Sequence, residues 1–280
     1  MPEVGEIRAH AERLADEFGG RVLDRFRPIT FHVLKTFTPD PDEARGLQLV
    51  GTRTRGKYLY LDFESVGFVV HLMQGGRLRP DPKQSAKPRN GQARWTFEDG
   101  SALLLTEAGT DKRAGVWVMP GDDELESFGP LAELGPEADR IDEDELASIL
   151  GEHSMRLHGF LRRQSILAGL GRRLANDICH EAEISPFAST GKLDADQIRR
   201  LHAAISVCVD RSLEFERSQS EIVASAQRPS AVHNRKGEPC PRCGEPIREV
   251  TYTKYQVNYC PTCQTAGKIL ADNTTSKFLK

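Results

Sequence analysis

Apolar positions near the start of the chain recur at helical spacing. Ile7, Ala11, Leu14 and Phe18 share one face and Gly19-Gly20 ends the pattern, which predicts a helix over 2–18. The period then shortens. Runs of strand character fall at 21–26, 47–55, 58–63, 67–73, 93–98, 103–106 and 115–119, separated by turn signals such as Pro39-Asp40-Pro41, Gly75-Gly76 and Glu98-Asp99-Gly100. Many short strands behind one leading helix predict a β-sandwich or barrel of about 120 residues. Beyond residue 142 the helical period returns, predicting helices over 143–150, 157–167, 174–183 and 195–216. A polar stretch over 217–236 without periodicity predicts a loop, and Cys240–Gln264 forms a block of different character.

Composition narrows the class. A chain of 280 residues exceeds the usual span of one domain, so two or three units are expected. Charged residues at 28% and apolar residues at 38% are ordinary for a folded domain and exclude a wholly disordered chain. No run approaches the roughly 18 consecutive apolar residues of a membrane-spanning helix. The opening MPEVGEIRAH carries Glu3 and Glu6 and lacks the apolar stretch of a signal peptide, so a cytoplasmic location without a membrane partner is expected. Net charge is −3, but residues 121–145 hold eleven Asp or Glu against one Arg, which leaves the remainder net positive. The expected division is therefore a β-rich domain over 1–120, an acidic linker over 121–145, a helical domain over 146–236, a cysteine block over 237–264 and a flexible tail over 265–280.

Four of the six cysteines read Cys240-x2-Cys243-x16-Cys260-x2-Cys263. Two close pairs at this separation supply four thiolates to one structural Zn²⁺, with no coordination position left for water. Hairpin character over 247–253 and 256–259, with a turn near Lys254, makes the block a zinc ribbon. Two disulfides are the competing reading, disfavoured in a reducing compartment. Cys179 and Cys208 lie on predicted helices and read as buried apolar fillers. Arg235, Lys236, Arg242, Arg248 and Lys254 lean the ribbon towards phosphate contact.

The N-terminus carries a second candidate chemistry. A small second residue permits removal of Met1, which leaves a secondary amine on Pro2. An α-amino group titrates at about 7.7–8.0, so a useful fraction is neutral and can attack an aldehyde-like carbon to form an iminium. Glu3 beside it can shuttle protons during that step.

Several motifs follow in order. Met1-Pro2-Glu3 runs on to Glu6-Ile7. Arg55-Gly56-Lys57-Tyr58-Leu59 comes next, then Gln164-x4-Gly169-Leu170-Gly171 and Ile184-Ser185-Pro186. The chain closes with Gly237-Glu238-Pro239-Cys240-Pro241-Arg242-Cys243-Gly244 and Tyr259-Cys260-Pro261-x-Cys263-Gln264. In this order the sequence resembles the formamidopyrimidine-DNA glycosylase and endonuclease VIII family, from residue 2 to residue 264. The resemblance implies an α+β multidomain fold: an N-terminal β-sandwich with a leading helix, a helix–two-turn–helix domain and a C-terminal zinc ribbon. It implies damaged double-stranded DNA as the partner, held by a monomer between the two halves, with the damaged base turned out of the stack. For a bacterial chain it implies association with the nucleoid. Pro2 would attack the anomeric carbon of the lesion's sugar, Glu3 would act as general acid and base, and Lys57 would donate a proton and contact phosphate. The expected outcome is base excision followed by β-elimination at the abasic site.

The sequence departs from the family pattern at three places. Arg172 occupies the Asn position of the family's Gly-x-Gly-Asn, where an Arg can still bind phosphate bidentately. Tyr255 occupies the position of an Arg five residues before the third cysteine, so Lys254 is the cation left to serve there and δ-elimination is expected to be inefficient. In His71-Leu72-Met73-Gln74-Gly75-Gly76, Met73 or Gln74 would fill the hole left by the turned-out base, and Arg113 in Asp111-Lys112-Arg113-Ala114-Gly115 would face the orphaned base without the family's aromatic wedge. The opening is closer to an endonuclease VIII-like pattern, favouring oxidised pyrimidines. The expected function is a bifunctional DNA glycosylase and abasic-site lyase. The competing readings are a lesion-binding protein with impaired catalysis on the same scaffold, and an enzyme of this scaffold acting on a bulky adduct or crosslink.

Overall fold

The computed structural model describes residues 1–121, 125–224, 227–252 and 255–270. The chain divides into two compact units, Met1–Glu133 with Leu213–Ser225, and Leu134–Ser212 with Ala226–Lys280.

The first unit opens with helix α1 (Val4–Phe18) and continues through β1 (Leu23–Pro28), β2 (Gly51–Arg55), β3 (Tyr58–Phe63), β4 (Val66–His71), β5 (Gly76–Pro80), β6 (Gly91–Phe97), β7 (Ala102–Glu107) and β8 (Gly115–Pro120). The strands form two four-stranded sheets, in the orders β1-β6-β7-β5 and β2-β3-β4-β8, antiparallel throughout. Leu59, Leu61, Phe63, Phe68 and Val70 of one sheet share a buried cluster with Phe26, Trp95, Phe97, Leu103 and Leu105 of the other. Phe68 lies 4.9 Å from Phe26 and 5.7 Å, edge-on, from Trp95. This is the predicted sandwich, with α1 contributing Ile7, Ala11, Leu14 and Phe18 to the same cluster.

Three local expectations are corrected. The first helix begins at Val4, because Glu3 is extended and serves as the N-cap. Strand β5, Gly-Arg-Leu-Arg-Pro, has no counterpart in the sequence reading. Its lone core residue is Leu78, and as an edge strand it tolerates two arginines and a terminal proline. The run predicted over 47–55 pairs as a strand only from Gly51.

The second unit contains α2 (Glu143–Glu152), α3 (Leu157–Leu161), α4 (Arg172–Glu181), most of α5 (Ala195–Arg217), the hairpin β9 (Arg248–Thr251) and β10 (Gln256–Tyr259), and the short α6 (Pro261–Thr265). The helix predicted over 157–167 stops at Leu161. Beyond it Gln164 holds the chain in turns: its Nε2 donates to the carbonyls of Arg162 (2.9 Å) and Leu170 (2.8 Å), and its Oε1 accepts from the Gly169 amide (3.1 Å). Ile166, Leu167 and Ala168 are buried without being helical, which is how an apolar run imitates a longer helix. Helix α6 is too short to leave a helical period in the sequence; Pro261 at its first position starts it and left-handed Ala266 ends it. Among the described residues of 218–236 there is no α-helix or strand. The predicted turn at Lys254 and the tail beyond Leu270 lie outside the described residues. No described helix is long and apolar enough to cross a membrane.

Candidate active site and zinc centre

At the N-terminus, Pro2 is buried and Glu3 is 4% exposed. Glu3 and Glu6 form a reciprocal capping box in which the Glu3 amide donates to the Glu6 carboxylate at 2.5 Å. Helix α1 thus fixes Glu3 through two carboxylates, of which that of Glu6 is fully buried.

Lys57 sits in the two-residue turn between β2 and β3, whose flanking partners are Arg55 and Tyr58. The turn needs a positive φ at its first position, and Gly56 supplies it at φ 56°. Lys57 is only 7% exposed. Strand β4 ends in His71, paired with Tyr58 of β3 and with its ring 4.5 Å from the Tyr58 ring. Burial pushes His71 down to about 4, helped by the positive charges of Lys57 and of the chain's N-terminus. His71 is therefore neutral at physiological pH and stands near both cations. Its Nδ1 accepts a hydrogen bond from the Met73 amide at 3.2 Å, which assigns the proton to Nε2.

That bond fixes the tight turn in which the candidate filling residues stand. Met73 adopts a left-handed φ of 51°, a conformation that side-chain-bearing residues rarely take. The two glycines after Gln74 allow close backbone approach. A Cβ on Gly75 would stand 2.5 Å from the Ala108 carbonyl oxygen, and one on Gly76 would stand 2.1 Å from that of Leu72. Met1, Met73, Gln74, Glu107 and Arg113, with the loop 108–111, line a cavity of about 390 Å³. Glu107, 2% exposed, holds the far wall: its Oε2 accepts from the amides of Arg113 (2.7 Å) and Ala114 (2.8 Å). The Arg113 side chain is exposed and pairs with Asp111 at 2.7 Å. The first unit therefore gathers Met73, Gln74 and Arg113 around one cavity with the N-terminus, and brings the charges of Lys57 and the N-terminus to bear on His71.

In the second unit Arg172 opens α4 and is exposed. Tyr255 is stacked rather than free. The Arg162 guanidinium lies 4.3 Å from its ring centroid, the Tyr252 ring 4.7 Å away at 15°, and the His158 ring 6.1 Å away at 18°. Lys254, the predicted substitute cation, lies outside the described residues.

The four ribbon cysteines converge, with all sulfurs within 4.8 Å of one another. The Sγ separations of 3.4 Å for Cys243–Cys260 and 4.0 Å for Cys240–Cys263 are far too long for disulfides. They match the spacing of about 3.8 Å required by four thiolates at about 2.3 Å around one tetrahedral Zn²⁺. Left-handed Gly244 turns the first knuckle, where the Cys240 amide donates to Glu245 and the Gly244 amide to Cys240. Gln264 steadies the second by accepting from the Cys260 amide at 2.8 Å and donating to the Ile184 carbonyl at 3.0 Å. His180 places Nε2 3.2 Å from Cys240 Sγ, the contact of an outer-shell donor to a thiolate. The four cysteines form a site for one structural zinc. Cys179 and Cys208 are buried free thiols, as expected of fillers.

Four residues escaped the sequence reading: His71, Glu107, His158 and Arg162. His71 and Glu107 end strands whose other residues are mostly apolar, a polar terminus that alone does not distinguish a site from a strand edge. His158 and Arg162 fell inside the over-long helix.

The family described as Formamidopyrimidine-DNA glycosylase N-terminal domain matches residues 1–113, and the Zinc finger found in FPG and IleRS matches residues 237–266. The formamidopyrimidine-DNA glycosylase of Thiobacillus denitrificans is 30% identical over 275 residues, covering 94% of this chain and 100% of that protein. An uncharacterized formamidopyrimidine-DNA glycosylase-like protein of Mycobacterium tuberculosis is 38% identical over 149 residues, covering 52% of this chain and 94% of that one. Among solved structures, MutM from Thermus thermophilus is 25% identical with a TM-score of 0.79, covering 94% of this chain and 98% of that one. Lactococcus lactis Fpg in complex with abasic-site DNA is similar in fold, with 21% identity, a TM-score of 0.83, and coverage of 94% and 99%.

Proposed function

The chain belongs to the formamidopyrimidine-DNA glycosylase family, and from that premise we propose that it is a DNA repair glycosylase that excises a damaged base and cleaves the resulting abasic site. The observation that carries this reading is the arrangement in the first unit: one cavity lined by Met1, Met73, Gln74 and Arg113, with the charges of the N-terminus and Lys57 bearing together on His71.

While Met1 is attached, the Pro2 nitrogen is an amide with no lone pair to donate. Removal of Met1 converts it to a secondary amine beside the cavity. That amine attacks C1′ of the extruded nucleotide, and the bond to the damaged base breaks as the base leaves with a proton. Loss of the sugar ring oxygen from C1′ then gives an iminium. The iminium makes the C2′ proton acidic. Its removal and the departure of the 3′ phosphate complete β-elimination, and hydrolysis frees Pro2. Glu3, adjacent to the nucleophile, exchanges the protons that ring opening and iminium formation require. Lys57 neutralises phosphate near the reacting sugar and supplies a proton. Met73 or Gln74 occupies the stack where the nucleotide was, and Arg113 faces the orphaned partner base. The zinc braces the ribbon and takes no part in the chemistry. Oxidised bases are the proposed substrates, pyrimidines ahead of purines because the loop at Arg113 lacks an aromatic wedge.

Borohydride reduction tests the reading. The Met1-free protein, mixed with a duplex carrying one abasic site and reduced, should yield a covalent protein–DNA band. Pro2→Gly should weaken the band and an N-terminal extension should abolish it. No band from the Met1-free protein, with DNA binding intact, would replace this reading with that of a lesion-binding protein. The same duplex carrying single oxidised pyrimidines or purines ranks the substrates.

A further inference from the structure

The last turn of α4 and the first zinc knuckle hold each other at two points. His180 lies in that turn, 2% exposed, with its Nε2 3.2 Å from Cys240 Sγ. Its carbonyl is held as well. Arg242, between Cys240 and Cys243, donates from Nη1 to the His180 carbonyl at 3.1 Å and from Nη2 to the Glu181 carbonyl at 3.3 Å. Nη1 also donates to Glu183 Oε1 at 2.8 Å, which keeps the guanidinium over the helix end. Arg242 thus caps carbonyls that a helix leaves open at its C-terminus. Backbone and side chain of one residue are both tied to the cysteine turn, so the imidazole has a fixed direction.

The two ring nitrogens of His180 can be told apart. Nδ1 is buried and has no hydrogen-bond partner among the described residues. A proton on Nδ1 alone would strand a donor away from water and aim the bare lone pair of Nε2 at a thiolate, two costs at once. A proton on Nε2 meets the sulfur and leaves only a lone pair at Nδ1. A hydrogen bond of this kind fixes the direction of a thiolate and draws charge from it, and such outer partners carry about 10–100-fold of a site's metal affinity. We propose that His180 is a positioning residue of the zinc centre: its Nε2–H donates to the Cys240 thiolate, aims it at the metal and tempers its charge. The hold of the ribbon on zinc is then set partly by helix α4, outside the ribbon itself.

Two measurements on the full-length protein test this together: zinc affinity by competition with a chromophoric chelator, and the thiolate-to-cobalt charge-transfer band of the cobalt-loaded protein. His180→Phe keeps the bulk of the ring and removes the donor. It should bind zinc at least about ten-fold more weakly. Its band should move to longer wavelength, because a sulfur without the hydrogen bond gives up an electron more readily. His180→Gln places an N–H near the position of Nε2 and should restore most of both. Parental zinc affinity in His180→Phe overturns the proposal, and so does an unmoved band, which would leave His180 as packing alone. A His180→Gln protein no better than His180→Phe overturns it too. Tighter zinc binding in His180→Phe also overturns it, because the ring would then be accepting a hydrogen bond from a Cys240 thiol. Circular dichroism of each loaded variant checks folding. Should His180→Phe fail to fold, the nitrogen chemical shifts of the His180 ring in the zinc-loaded parent decide: a proton on Nε2 supports the proposal, and one on Nδ1 alone overturns it. None of these readouts involves DNA, so the outcome stands apart from that of the glycosylase reading.

Discussion

Glu107 is the residue on which the far wall of the cavity depends. One carboxylate oxygen accepts both the Arg113 and Ala114 amides, and the side chain is 2% exposed. Replacement by Ala strands both donors. Arg113 is exposed and its amide can turn to water, but Ala114 is fully buried and its amide cannot. A buried donor left unsatisfied costs about 1–3 kcal/mol, and the lost charge-assisted bond to Arg113 adds about 1 kcal/mol, so Glu107→Ala should destabilise the first unit by about 2–4 kcal/mol. Glu107→Gln keeps an oxygen in the same place and exchanges charge-assisted bonds for neutral ones, so it should cost about 1 kcal/mol. Urea unfolding followed by tryptophan fluorescence reads this directly, because Trp95 and Trp117 both lie in the first unit. The same loop carries Arg113, so the rate of adduct formation with abasic DNA should fall at least ten-fold in Glu107→Ala and little in Glu107→Gln. A Glu107→Ala protein within about 0.5 kcal/mol of the parent would refute the reasoning, because the Ala114 amide must then have another acceptor.

Acid should weaken the first unit through two histidines. Burial lowers His10 to about 3, with Arg13, Arg77 and Arg79 adding to the effect, and lowers His71 to about 4. Below their ordinary value of about 6.5 the unfolded chain takes up protons that the fold refuses, so stability is intact above that pH and falls as pH drops towards 4. The expected slope is about 2.7 kcal/mol per pH unit for the pair, and a flat fluorescence-detected stability between about pH 6 and 4.5 would contradict it. One zinc per chain should be found by atomic emission. Its removal by a chelator, or Cys243→Ser, should unfold the ribbon without moving the tryptophan signal; a metal-free protein with an intact hairpin would count against the site. Lys57→Ala should slow cleavage of abasic DNA by about 100-fold while the borohydride band persists, and an undiminished cleavage rate would remove Lys57 from the chemistry.

Much of the fold is legible in the chain itself. Strand β3 follows the predicted run residue for residue, because Tyr-Leu-Tyr-Leu-Asp-Phe is strongly strand-forming and Gly56 and Glu64 turn the chain at either side. The zinc centre is legible because thiolate spacing is a local property of the chain. Strand β5 is not, since an edge strand with one buried side chain leaves almost no apolar pattern. Helix α3 is over-extended in the sequence because Ile166, Leu167 and Ala168 are as buried as helical residues would be, while the bonds of Gln164 that end the helix run to Arg162, Gly169 and Leu170. At the site, Pro2 and Lys57 can be singled out as residue types in a motif. The roles of His71 and Glu107 come from what they touch: a backbone amide two residues on, and two amides across a loop.

The first unit is not one continuous stretch of chain, and synthesis must reckon with that. Leu213–Ser225 returns to it, placing Ile222 in the sandwich core. The Glu216 and Gln219 carbonyls sit at 2.7 and 3.0 Å from the Arg13 guanidinium, and Arg217 pairs with Glu12 at 2.6 Å. A nascent polypeptide halted after residue 133 therefore leaves part of its apolar interior uncovered and Arg13 without these acceptors. The domain that emerges first from the ribosome is completed only when about four-fifths of the protein has been made, and its assembly is tied to the translation of the helical half.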